Sequence, residues 1–112
     1  MKIALPVSGN RVAGHLGHSE HFLIFDVDDE GKGPVSRLQP PLHEHGVIPR
    51  WLLAHGAQVV IAQRMGAGAR RLLEEGGAQV VTGAPPRDPE WLVREYLAGR
   101  LEDQQLTCAQ EH

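Results

Sequence analysis

The run Phe22-Leu23-Ile24-Phe25-Asp26-Val27 constrains this chain more than any other stretch. Alternate residues of a strand point to opposite faces, and here both faces carry apolar side chains. Six residues are too few for an ordinary buried helix, so the run reads as a strand. A strand that is apolar on both sides must be covered on both sides, which places it centrally in a covered sheet.

The remaining pattern supplies the other layers. Lys2 to Val7 is a short apolar run that breaks at Pro6 and again at Ser8-Gly9-Asn10, a first strand opening into a loop. Asp28 to Gly33 is a polar connection leading to a weaker strand at residues 34–39, whose Pro34 suggests a sheet edge. Gly46 to Gly56 reads as a helix with Pro49 in its first turn and Gly56 just past its end. Val59 to Ala62 is a β-branched strand, and residues 63–68 form a turn. Ala69 to Glu75 is a helix stopped by Gly76-Gly77, and Gln79 to Thr82 is another strand. Asp88 caps a last helix with Pro89 in its first position and Glu90 complementing the dipole, and Gly99 ends it.

The order is therefore β-β-β-α-β-α-β-α, an α/β chain with five strands and three helices. Right-handed crossovers set the first, fourth and fifth strands parallel and the second antiparallel to the first. At 112 residues the expectation is one domain over 1–112, globular to residue 99, with a loosely held polar tail from Arg100 to His112.

Composition narrows the function classes. The formal charge of −3 offers no basic field for nucleic acid. No apolar run approaches the ~20 residues of a membrane span, and Met1-Lys2-Ile3 opens directly into a strand. The expectation is a cytoplasmic protein without a membrane or nucleic-acid partner. One cysteine, Cys108, rules out an intramolecular disulfide.

Histidine is the distinctive residue. Five of the 7 histidines fall in two loop-like pieces, His15-Leu16-Gly17-His18-Ser19-Glu20-His21 and His43-Glu44-His45. Imidazole suits zinc, copper, iron and nickel, so His15, His18, His21, His43 and His45 are candidate metal ligands, with Cys108 and His112 able to close over the site. They would hold a single transition-metal ion or a cluster. Loops also carry solvated histidines that bind nothing, which leaves as the competing reading an adaptor or regulatory domain with incidental histidines that binds another protein, such as a cluster-assembly ATPase.

In α/β sheets ligands lie beyond the carboxyl ends of the parallel strands. Those ends are Ser8-Gly9-Asn10, Gln63-Arg64-Met65-Gly66 and Gly83-Ala84-Pro85, and the His15 loop leaves from the same edge. Met65-Gly66-Ala67-Gly68 matches only part of a dinucleotide fingerprint, because Arg71 stands where its third glycine belongs. The helix start would still welcome an anion. Ser8, Gly9, Asn10, Arg64, Met65 and Gly66 are thus candidate cofactor-binding residues. Asp28, Asp29 and Glu30 sit in one exposed hairpin, beside Asp26 at the strand end, and do not converge as a two-metal site requires. No serine or cysteine occupies a nucleophile elbow.

The segments Met1-Lys2-Ile3-Ala4-Leu5-Pro6-Val7, His15 to Phe22, His43 to Leu52, and Val59 to Ala62 through Met65-Gly66 resemble the dinitrogenase iron–molybdenum cofactor biosynthesis family, the NifX-like domains. The last helix, ending Tyr96-Leu97-Ala98-Gly99 and followed by a cysteine, completes the resemblance. It implies a ribonuclease H-like fold with a five-stranded mixed sheet and three helices. It also implies a non-enzymatic carrier or scaffold for a metal–sulfur cluster of iron–molybdenum or molybdenum–copper type, as in the orange protein. Cluster-assembly proteins would be its partners. Many members carry a cysteine where Ser19 stands.

Overall fold

The computed structural model describes residues 1–42 and 46–106. Its strands are β1 (Lys2–Ser8), β2 (Arg11–Val12), β3 (His21–Asp26), β4 (Val35–Leu38), β5 (Val59–Ile61) and β6 (Gln79–Val81). Its helices are α1 (Val47–Ala54), α2 (Ala67–Glu75) and α3 (Pro89–Leu97). The sheet order is β4-β3-β1-β5-β6, with β2 paired to β1. β1 runs antiparallel to β3 and parallel to β5, and β5 runs parallel to β6, as right-handed crossovers require.

Strand alternation splits the core in two. Ala4, Phe22, Ile24, Val60 and Val80 face α1 and α2, meeting Ile48, Leu52 and Leu73. Ile3, Leu5, Phe25, Ile61 and Val81 face α3, meeting Leu92 and Val93. β3 is apolar on both faces as its sequence demands, yet the middle of the sheet belongs to β1. Ile3, Ala4 and Leu5 are all 0% exposed. β4 is the edge that Pro34 suggested.

β1 runs through Pro6, one residue past the expected end at Val7. Val7 offers its carbonyl toward β3, where Glu20 N–H donates to it at 2.9 Å. Successive residues of a strand face opposite edges, so Pro6 faces away from β3, and its carbonyl accepts from Ala13 N–H at 2.7 Å. The N–H that proline lacks is therefore not one the β1–β3 ladder uses. β2 is an addition to the expected order. Gly9, at φ +64°, turns the chain so that Arg11 pairs with Ser8 and Val12 with Val7. The α2 helix begins two residues earlier than its pattern suggested, because Gly66 caps it. Asp88 caps α3 as expected, its carboxylate accepting from Trp91 N–H at 3.0 Å.

The described part of the polar C-terminal segment is tied to the domain. Asp103 accepts two hydrogen bonds from Arg70 of α2, at 2.8 and 2.9 Å, one from Thr82 Oγ1 at 2.7 Å and one from Thr82 N–H at 3.0 Å. Leu106 N–H in turn donates to Thr82 Oγ1 at 2.8 Å. Arg70, first of all, and then Thr82 hold the Asp103 carboxyl well below the usual carboxylate range, against the burial that would raise it. A depressed native pKa contributes stability above the unfolded value of about 4 and loses it as pH falls. Asp103→Asn should therefore lower stability on the order of 2 kcal/mol at pH 7 and flatten the acid limb of the stability–pH curve. Urea melts of parent and variant from pH 7 to pH 2 check this, and parallel curves would remove Asp103 from the acid response.

Candidate functional site at the carboxyl edge of the sheet

The carboxyl ends of β1, β5 and β6 meet one loop, residues 9–20, and that loop is fastened along its length. Glu20 Oε1 accepts from Gly9 N–H at 2.7 Å, closing its two ends. Val12 N–H donates to Arg87 O at 3.0 Å, and Gln63 Nε2 donates to Val12 O at 3.1 Å. Gln63 O accepts from Gly83 N–H at 2.8 Å, so one side chain and its own backbone bridge three loops. Leu16, 3% exposed, anchors the middle of the loop in the α1/α2 core. Burying one leucine contributes about 2 kcal/mol, while ordering backbone costs about 1–2 kcal/mol per residue. The anchor offsets only a residue or two, so the hydrogen bonds hold the rest.

His15 and His18 flank this anchor. Their ring centroids are 4.9 Å apart and their planes tilted by 52°. Nitrogens sharing one tetrahedral ion stand about 3.3 Å apart, given metal–nitrogen bonds of about 2.0–2.1 Å, so rings this close suit one ion or one cluster face. His15 Nδ1 accepts a hydrogen bond from Gly17 N–H at 3.1 Å. Neutral imidazole keeps one lone pair and one proton, so the proton of neutral His15 sits on Nε2. Coordination by His15 then requires either that Nδ1 exchange Gly17 N–H for the metal, or that the proton change nitrogens. Ser19 Oγ, next along the loop, is buried and has no hydrogen-bond partner among the described residues. Left dry, such an atom costs about 1–3 kcal/mol.

His21 departs from this group. It shares a strand face with Leu23 and Phe25, toward α3, whereas Leu16 and Phe22 face α1 and α2. The sheet lies between its side chain and the anchor of the His15 loop. It is 8% exposed, and its Nδ1 has no hydrogen-bond partner among the described residues. Burial lowers its pKa, the charge of Arg37 lowers it further, and Glu20 opposes both.

The other candidates divide in the same way. Ser8 is half-buried at the end of β1, and Gly9 and Asn10 are exposed at the turn, with the Gly9 N–H already given to Glu20. Met65 is 0% exposed in the α1/α2 core, so only its backbone could meet a ligand. Arg64 is exposed beside it. Gly66, itself buried, is the N-cap of α2 and brings no side chain to its first N–H groups, so the positive end of the helix keeps its preference for an anion. His43, His45, Cys108 and His112 lie outside the described residues. Among the described residues no group of three or more His, Cys, Asp or Glu converges as a metal site.

Gln63 stood in the sequence only as part of a strand end, without a role of its own, and the Arg70–Thr82–Asp103 network gave no signal there. Gln63 carries no motif, and its role appears only once three loops meet. The hydrogen bond at His15 yields a direct test. In metal-free protein at neutral pH, imidazole 15N shifts should show His15 protonated on Nε2, with Nδ1 as acceptor. A signal from the Nδ1–H tautomer would contradict this geometry.

An uncharacterized protein of Methanocaldococcus jannaschii is 28% identical over 107 residues, covering 91% of this chain and 90% of its own length. The crystal structure of the protein PH0822 is similar at 28% identity and a TM-score of 0.84, covering 93% of this chain and 95% of that one. The apo orange protein of Desulfovibrio gigas shares the fold at 19% identity and a TM-score of 0.77, over 89% of each chain. The family profile described as dinitrogenase iron-molybdenum cofactor matches residues 1–99, and this chain belongs to that family.

Proposed function

We propose that this protein binds an anionic metal–sulfur cluster, of iron–molybdenum or molybdenum–copper type, at the carboxyl edge of its sheet, and carries it without transforming it. Its exchange partners would be cluster-assembly proteins. The observation that carries this reading is the His15–His18 pair, held over the core by Leu16 beside a Ser19 Oγ that has no partner among the described residues. Family membership supports the cluster as cargo. The start of α2, where Gly66 brings no capping side chain, and the exposed Arg64 suit a negative charge.

His43 and His45 are the further imidazoles in this proposal. They precede α1, whose Ile48 packs in the same core cluster as Leu16. Cys108 remains a candidate soft ligand, two residues beyond Leu106, which is bound to Thr82 at the end of β6. His21 is left out of the ligand set, because it faces the other side of the sheet. A carrier role accords with membership of this family, and the proposal sets the protein in the cytoplasm.

Metal-bound imidazole must be neutral, and free histidine has a pKa of about 6.5. Each ligand histidine therefore adds to the loss of affinity as protons compete. Cluster or copper affinity should fall steeply between about pH 7.5 and pH 5.5. Alanine at His18 and His43 together should lower affinity at least about tenfold and flatten that slope. Alanine at His55 should change neither. It caps the end of α1 against Trp51 and lines a recess with Lys2 and Asp26, at the opposite end of the sheet. Titrations of parent and variants across pH, on protein without a His-tag, measure both. A double variant that binds like the parent would leave the histidine loops as solvated surface, and an adaptor role would replace this proposal.

A further inference from the structure

The α3 face of the sheet is wider than the helix that covers it. Leu92 and Val93 of α3 pack on Ile3, Leu5, Ile61 and Val81, in β1, β5 and β6. Toward the β4 edge the same face is incompletely covered: Leu23 is half-buried, and Val35 is 49% exposed. Between this part of the sheet and the start of α3 lies an open cavity of about 480 Å³. Its floor is Val7, Leu23, Phe25 and Val35, with Arg37 on the β4 side and Asp88 and Glu90 on the α3 side. His21 also lines it, with its Nδ1 unpartnered among the described residues.

The charges around the floor differ in their engagements. Asp88 is held by Trp91 N–H, and Glu90 accepts from Arg94 at 2.9 Å. Arg37 has no ion-pair partner among the described residues. The cavity thus offers an apolar surface, one unengaged guanidinium and one buried imidazole. Its volume falls within the roughly 300–1,000 Å³ of small-molecule pockets. A guanidinium is suited to holding a carboxylate by two parallel hydrogen bonds.

We infer that this face carries a second binding site, for a small amphipathic carboxylate whose head sits on Arg37 and whose apolar body lies on Leu23, Phe25 and Val35. The two engaged carboxylates of α3 repel an anionic head from the opposite wall, so the ligand takes one orientation. His21 forms the inner wall at the head end, where Arg37 is near enough for its charge to act on the imidazole. The cavity borders the carboxyl-edge loop only at Gly9 and Asn10, while the Leu16 anchor between His15 and His18 packs on the opposite face of the sheet, so the site uses neither imidazole and stands if the metal-binding proposal fails.

The test uses the full chain, metal-free, with octanoate, 1-octanol and octylammonium as probes, following the imidazole resonances by NMR. Octanoate should bind saturably and raise the His21 pKa relative to the 1-octanol complex, because its charge offsets that of Arg37 while both probes desolvate the ring equally. Glu20, Asp88 and Glu90, the other charges near the ring, are common to both complexes. Octylammonium should bind more weakly than either. Arg37→Gln should weaken octanoate at least about tenfold. Val35→Asp, on an exposed edge position where folding is not at stake, should do the same by repulsion. The inference is overturned if octanoate does not saturate below about 10 mM, or if Arg37→Gln binds it within twofold of the parent. It is equally overturned if octylammonium binds as tightly, or if the shifts fall on His15 and His18 while His21 stays unmoved.

Discussion

Burial of β1 on both faces is the constraint from which the rest of this structure follows. Ile3, Ala4 and Leu5 have no exposed surface, and neighbouring strands flank them on both edges. A strand in that position needs a layer above and a layer below, so α1 and α2 take one face and α3 takes part of the other. Both faces being committed to packing, the room for a ligand lies at the strand ends and along the uncovered margin near β4. The loop with His15 and His18 stands at the carboxyl end for that reason. Its geometry depends on β1 as well, through the carbonyls of Pro6 and Val7, which hold Ala13 and Glu20.

The two-residue period of a strand then decides which histidines can act together. His18 and His21 are three residues apart, and on a curled loop that spacing would favour convergence. His21 is already the first residue of β3, paired with Val7. Once Phe22 is drawn into the α1/α2 core, His21 must face α3. One apolar neighbour thus removes an imidazole from the proposed metal site and places it beside Arg37.

Much of the scaffold was legible in the residues. The apolar run at Phe22 announced a covered strand, Pro34 an edge, Asp88-Pro89 a helix start, and the β-branched pairs at Val59 and Val80 the parallel strands. These signals are local, and each reflects a preference that the fold leaves unopposed. The failures came where a distant partner overrode the local preference. Pro6 breaks the apolar pattern of the first strand, yet the strand continues through it, with Ala13 supplying the partner for its carbonyl. β2 is two residues held by a glycine turn and has no side-chain pattern to betray it. Arg100 to Leu106 is polar enough to suggest a loose tail, but Asp103 finds Arg70 and Thr82 across the fold. At the site, chain position put His15, His18 and His21 in one group, but the sequence had no means of telling the face each would take.

The central claim is that the carboxyl edge of this sheet binds metal through paired imidazoles of the His15–His18 loop. X-ray absorption at the metal edge, on protein loaded anaerobically with copper or a molybdenum–copper sulfide, tests it most directly. The account predicts a contribution from directly bound imidazole nitrogen at about 2.0 Å, with the outer-ring scattering of histidine, that weakens clearly when His15 and His18 are both replaced by alanine. A bound metal surrounded only by sulfur or oxygen, with a spectrum unchanged in that double variant, would contradict it.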